Sequence, residues 1–278
     1  MTVEHRKCYL AINLAVLLVS FAVLALAYDG RSLLALRPQA SLVFFVTACA
    51  VFGLKLVRLY LVFVNTGLRF RTHALQFFKT LLVSLVLPFK LGDIFRVYCY
   101  GAHIGNFLRS FMAVLLDRFV DTLALVCIFL ALVAFRSAAL PWLLYVLGAF
   151  LLVVMLCYAA FPSLYAYWSE YLLRSRATSQ RLRYLRALQQ TKALYTEFQS
   201  VVQGRLLLLF LLSMLAWAAE LFCIARFFGE DVAAYLLAAA GLAGDRVQQQ
   251  FVLFGILLVL AVMLLGYVLR WGRRNMKS

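Results

Sequence analysis

The sequence predicts an all-α fold: a polytopic integral membrane bundle of about six full spans with one or two re-entrant helical hairpins and both termini cytoplasmic. Three observations predict it. Of the 278 residues, 66% are hydrophobic and the mean hydropathy is +0.95, whereas a soluble domain is nearer half apolar. Several runs reach the roughly 20 apolar residues that a spanning helix needs, and none alternates over ten-residue strands as a β-barrel does. The charge is strongly basic, 27 Lys+Arg against 11 Asp+Glu for a net +16. In a membrane protein that excess reports cytoplasmic loops and contact with anionic headgroups rather than nucleic acid.

The elements follow in order. Residues 8–28 exceed a signal-peptide core and lead into no small-residue cleavage site, so they read as a retained first span. Residues 40–64 form the second. Residues 74–87 are apolar but cover only about 21 Å at 1.5 Å per residue, short of the roughly 30 Å hydrocarbon core. Pro88 then stops that helix. Residues 111–135 form a span that carries Asp117, Arg118 and Asp121. Residues 139–161, 206–228 and 251–270 are further spans, while 232–242 is too brief to cross. The polar stretch 163–205 places Leu182, Leu185 and Leu188 at helical spacing among arginines, the pattern of a basic amphipathic helix lying on the membrane surface.

Positive-inside counting orients the chain. The 163–205 connector and the tail (Arg270, Arg273, Arg274, Lys277) are basic and hence cytoplasmic. The parity of spans closes if residues 74–104 enter and leave on the cytoplasmic side, as a re-entrant hairpin. Two tilted spans there would satisfy the same parity. The chain then reads as a single transmembrane domain, 1–278, with a possible second short re-entrant element at 229–247, in the cell's inner (plasma) membrane.

The chemistry lies in the charges that fall within apolar surroundings. Among the 11 acids, Asp93, Asp117, Asp121 and Glu220 do so, and each costs roughly 2.5–3.5 kcal/mol or more at the bilayer centre unless partnered. Asp93 and Arg96 are placed to pair along one helix. Asp117 and Asp121 share a face, which requires a cation or a proton between them; Arg118 is expected to point elsewhere on that helix. Glu220 sits in the run "LLLLFLLSMLAWAAELFCIARFF", and is expected to neutralise a base of the re-entrant region or to carry a proton. Lys90, Arg96, Arg118 and Arg58 are the candidate substrate-binding bases, because guanidinium and ammonium groups match a phosphate. Lys55 and Arg58 also lie where their stems allow snorkelling to the cytoplasmic surface. Gly101 and Gly105 form a G-x-x-x-G, a spacing that permits close helix packing. With three histidines in the chain and no ligand spacing among them, no metal site is expected, and no cofactor.

The line "LPFKLGDIFRVYCYGAHIGNFLRSFMAVLLDRFVDTLAL" resembles the lysylphosphatidylglycerol synthase transmembrane family, the flippase domain of multiple peptide resistance factors. Pro88, Gly92, Asp93 and Arg96 match a first family element, with Asp where the family has Glu. Asp117, Arg118 and Asp121 match a second, and Trp217 to Glu220, "WAAE", is similar to a third. The resemblance covers roughly residues 40–240. The chain departs from the family at "AAAGLAGDRVQQQ", where Gly241, Gly244, Asp245 and Arg246 lack the proline of a second re-entrant element. It also carries no soluble aminoacyl-transferase domain, so synthesis of lysyl-lipid is not expected of it.

The resemblance implies lipid translocation in a cell-envelope or glycolipid pathway. The expected partners are membrane lipids and a substrate with an anionic headgroup, a phospholipid or a polyprenyl-phosphate-linked glycolipid. In that role Arg96, Arg118, Lys90 and Arg58 hold the phosphate. Asp93, Asp117, Asp121 and Glu220 pair with the bases or carry protons, and Pro88, Gly92 and Trp217 are structural. The alternative is a membrane scaffold or accessory subunit, docked on a cytoplasmic or membrane-bound glycosyltransferase. An enzyme remains a third reading, with Asp117 and Asp121 on a divalent ion, although nothing completes such a ligand set.

Overall fold

The computed structural model describes residues 3–27, 38–86, 91–136, 142–174, 179–225, 253 and 255–264. Among them the secondary structure is helical throughout. The elements are α1 (Val3–Ala27), α2 (Pro38–Phe63), α3 (Phe70–Val86), α4 (Leu91–Ile104), α5 (Phe107–Arg136), α6 (Trp142–Arg174), α7 (Ser179–Cys223) and α8 (Gly255–Leu264), with a 3-10 turn at Val64–Thr66 after α2. Three stretches of these are long and apolar enough to cross a membrane: Leu42–Thr66, Leu144–Arg174 and Gly204–Cys223. The 30 residues of α5 also exceed the length of a span, at about 45 Å, but they carry the charges of the second motif.

Along the apolar helices, large hydrophobic side chains face outward while several charged groups are buried. Leu14, Leu42, Leu152, Met155, Leu207 and Phe222 are exposed, while Arg58 and Arg96 are 3% exposed, Asp117 2% and Glu220 5%. Water would reverse this arrangement. A hydrocarbon solvent demands it, because lipid tails cover leucine at no cost and charges must turn to protein partners. The chain is a membrane protein on this ground as well as by composition.

Two compact units are formed: Met1–Ser110 with Leu215–Ser278, and Phe111–Met214. In the first, α3 packs chiefly on α4, and also on α1 and α2. At 17 and 14 residues, α3 and α4 cover about 26 and 21 Å, so each is shorter than a bilayer core. Near their junction the two arms touch backbone to backbone: a Cβ on Gly92 would lie 2.3 Å from Ser84 Cα. Only glycine fits, which gives this motif residue its structural reason. Val83, Phe95 and Cys99 form the local core, covered by Val16 and Leu17 of α1. Pro88 and Lys90 lie outside the described residues, as does the whole 229–247 element.

The G-x-x-x-G does not act as a helix-packing seam. Gly105 ends α4 in the left-handed conformation, φ 76°, and its N–H donates to Gly101 O at 2.8 Å, the usual way an α-helix closes its last carbonyls. A Cβ on Gly101 would strike the Phe107 ring at 2.4 Å. Both glycines therefore serve the tight corner into α5. Asn106 caps α5 by accepting from Arg109 N at 3.0 Å, and Arg109 Nη2 donates to Asn65 O at 3.1 Å, tying the corner to the end of α2.

In the second unit α6 and α7 form a long antiparallel hairpin. Phe161 stacks on Tyr195 at 4.4 Å, Tyr158 lies 5.2 Å from Tyr195 and 5.7 Å from Phe198, and Lys192 Nζ sits 4.9 Å over the Tyr165 ring. Nearer the turn, Arg181 Nη2 donates to Leu173 O at 3.0 Å. An apolar cavity of about 340 Å³ lies among the helices of this unit, lined by residues that include Met112, Leu115, Val154, Cys157 and Phe198.

The stretch 163–205, expected as a basic amphipathic connector, is carried on this hairpin. Helix α6 runs through Pro162 to Arg174, and α7 runs unbroken for 45 residues from Ser179 to Cys223, so the basic stretch continues the span's own axis. The reason is compositional. Hydropathy changes near residue 205, but Arg, Leu, Gln, Ala, Lys and Glu on the polar side are all good helix formers, and nothing there ends the helix.

Candidate functional site

In the first unit, Asp93 stands in the first turn of α4, where a carboxylate also complements the positive end of the helix dipole. Its Oδ1 lies 3.4 Å from Arg96 Nη1, one turn on. Arg96 is buried, with its guanidinium carbon 6.0 Å from the centroid of the Phe77 ring of α3. The expected pairing of these two residues along one helix is thus present, and the hairpin's other arm closes over it.

Glu220 has a partner that was not anticipated: its carboxylate lies 3.8 Å from Lys55 Nζ of α2. Trp217, one turn earlier on α7, presents its ring 5.5 Å from the same ammonium, and Phe52 presents another at 5.9 Å. The "WAAE" spacing places acid and indole on one helix face, and both address one cation. Lys55 is thus engaged by α7, which supplies a counter-charge and an aromatic face, while its side chain stays 24% exposed. Arg58, one turn after Lys55, is buried as well.

Two further arrangements were not anticipated. His73 of α3 is fully buried and bridges three elements: its Nε2 lies 3.1 Å from Leu56 O of α2, and its Nδ1 lies 3.1 Å from Tyr100 Oη of α4. A carbonyl only accepts, so Nε2 carries the proton in that bond. Phe63 stacks on Tyr100 at 4.5 Å.

Beside it, α1, α3 and α4 bring Tyr9, Asn13, Gln76, Lys79, Cys99 and His103 together. Lys79 Nζ lies 5.0 Å from the Tyr9 ring and 5.6 Å from the Phe95 ring. Two cation–π contacts offset about 0.5–1 kcal/mol each at partly exposed sites. Lysine at the centre of a bilayer costs roughly 2.5–3.5 kcal/mol, so the rings cover only part of the burden.

In the second unit, Arg118 corrects the expectation that it points away from its neighbouring acids. Its guanidinium reaches Asp117 at 3.8 Å and Asp121 at 3.9 Å. A long side chain ending in a planar fork can address the preceding residue and the next turn at once. Arg118 itself thus supplies a cation to the two acids on that face.

The two motif elements and the tryptophan–acid element have thus been located: Asp93–Arg96 on α4, Asp117–Arg118–Asp121 on α5, Trp217–Glu220 on α7. A family model for the lysylphosphatidylglycerol synthase TM region matches residues 11–247. The chain belongs to that family. No curated protein and no solved structure is similar enough to match. Each of these elements in this lysylphosphatidylglycerol synthase TM region holds at least one buried or half-buried ion pair, an expensive feature in a membrane.

Proposed function

We propose that this chain translocates a lipid with an anionic headgroup across the plasma membrane. In this reading it has six spans, cytoplasmic termini, and a re-entrant hairpin formed by α3 and α4. The buried guanidinium of Arg96 carries the proposal. An arginine enclosed by lipid-facing helices, next to a helix N-terminus, is suited to hold a phosphate in transit. Arg58, Arg118 and Lys90 would serve the same phosphate along its path. Asp93, Asp117, Asp121 and Glu220 would keep those bases charged and oriented when the lipid is absent, and exchange of a proton on one of them would couple the cycle.

Translocation of a labelled phosphatidylglycerol between leaflets of reconstituted vesicles tests this. Arg96→Ala is expected to slow it roughly tenfold, the effect of about 1.4 kcal/mol. Equal rates for wild type, Arg96→Ala and protein-free vesicles would remove the proposal.

A second reading draws on the α6–α7 hairpin, whose polar end exposes Arg183 and Arg186. There the chain would be an accessory subunit holding a glycosyltransferase of a glycolipid pathway. Neutralising both arginines would then abolish complex formation while leaving lipid movement unchanged.

A further inference from the structure

Lys79 is a cation among the helices that the proposed function does not use. Among the described residues no carboxylate lies within 4.0 Å of its ammonium; its neighbours are the Tyr9 and Phe95 rings and the Cys99 thiol. Around it, among the described residues, two buried polar atoms make no well-formed hydrogen bond: Gln76 Oε1, and Tyr9 Oη, which lies beside Cys99, Asn13 and Gln76. The rest of the cluster is satisfied. Gln76 Nε2 meets His103 Nε2 at 3.2 Å, His103 Nδ1 meets Cys99 O at 3.3 Å, and Cys99 Sγ meets Asn13 Oδ1 at 3.5 Å. Tyr9 is held in place by Tyr98, stacked at 5.7 Å, and by the His103 ring at 6.1 Å. His103 is exposed, so the cluster opens outward along one edge.

Among the described residues the ammonium faces rings and a thiol rather than a carboxylate, the carboxamide oxygen has no hydrogen-bond donor, and the phenol lies beside Cys99, Asn13 and Gln76 without a well-formed hydrogen bond. We propose that Lys79, Tyr9 and Gln76 form a binding site for a lipid phosphodiester whose headgroup carries a hydroxyl. The phosphate accepts from Lys79 Nζ and Tyr9 Oη, and the headgroup hydroxyl donates to Gln76 Oε1. The Tyr9 and Phe95 rings flank the ammonium, so the anion must approach from the side the rings leave open. This rests on the lipid reading above and adds to it a site on α1 and α3, separate from Asp93–Arg96.

Retention of lipid by the full-length protein tests it without reference to transport. Protein from phosphatidylcholine vesicles doped with phosphatidylglycerol is released into detergent, and the bound lipid is weighed by native mass spectrometry. Wild type is expected to keep phosphatidylglycerol over phosphatidylcholine. Lys79→Met is expected to lose about tenfold of that preference, Lys79→Arg to keep most of it, and Tyr9→Phe to lose a smaller part. Undiminished retention in Lys79→Met overturns the site. If that variant does not fold, undiminished retention in Tyr9→Phe, which loses a single oxygen, does the same. Displacement of the lipid by inorganic phosphate at millimolar concentration would assign the site to free phosphate and overturn the lipid part. If wild type moves no lipid but retention still depends on Lys79, the transport reading falls and this site stands. If lipid moves and retention ignores Lys79, only this site falls.

Discussion

Lys55 and Glu220 meet at 3.8 Å, one from α2 and one from α7, with the Trp217 ring beneath the ammonium. Neither residue is common inside a membrane, and their expense is mutual. Removing either charge takes from the other its counter-ion at 3.8 Å, whereas together they hold two distant parts of the chain in one register. Whether such a pair stabilises beyond an apolar replacement is a separate matter, since desolvation opposes the attraction.

Breaking one side and replacing both sides should therefore differ. Glu220→Met, which takes the counter-charge from a Lys55 that is 24% exposed, is expected to destabilise by about 1–3 kcal/mol, less than a fully buried broken pair. The double variant Lys55→Met/Glu220→Met should regain a large part of that loss. Thermal unfolding of the four proteins in one detergent gives the double-mutant cycle, and a double variant that loses as much as the sum of the singles would contradict the pairing.

Gly92 makes a second, sterically sharper case. Its missing Cβ would lie 2.3 Å from Ser84 Cα and 2.7 Å from Ser84 Cβ. Gly92→Ala should push the arms of the α3–α4 hairpin apart, costing about 1–3 kcal/mol or more. Ser84→Gly should not rescue it, because the nearest atom is backbone. Recovery of the wild-type melting temperature in Gly92→Ala/Ser84→Gly would place the clash elsewhere.

How much of this was legible in the sequence varies with range. Helical class and apolar spans follow from hydropathy, because lipid contact imposes it on every turn of α2 and α6. The Asp93–Arg96 pair was legible since one helical turn separates the two residues. The Lys55–Glu220 pair was not: both residues stand out singly, but their partnership depends on how α2 meets α7. The same holds for His73 and Tyr100, whose contact exists only once α3 and α4 fold together. The 163–205 stretch illustrates another limit of range. Hydropathy marks where water begins, not where a helix ends, and α7 passes that boundary without a break.

Arg118 between Asp117 and Asp121 predicts a suppressor. Arg118→Met leaves two acids on one face of α5 with no cation from their own helix, and a loss of about 1–3 kcal/mol is expected. Adding Asp121→Asn removes one of the repelling charges and should restore part of the stability. Arg118→Lys should fall between, because a single ammonium cannot fork toward both carboxylates. Chemical unfolding monitored by tryptophan fluorescence would rank the four proteins, and a double variant weaker than Arg118→Met would contradict the geometry.

The last prediction concerns the hydroxyl of Tyr100, at the centre of the hairpin's polar link. Tyr100→Phe keeps the ring, so its stacking on Phe63 at 4.5 Å is retained and no cavity opens. What disappears is the contact with His73 Nδ1 at 3.1 Å, inside a region where water cannot replace it. The buried ring nitrogen then loses its Tyr100 contact, and the expected cost is about 1–3 kcal/mol. His73→Phe removes both polar ends at once and leaves only Leu56 O without that donor. If the His73–Tyr100 bond is what matters, adding Tyr100→Phe to His73→Phe should cost almost nothing further. A full second loss in the double variant would mean that Tyr100 Oη acts through its other neighbour, the His73 carbonyl at 3.3 Å, rather than through the imidazole.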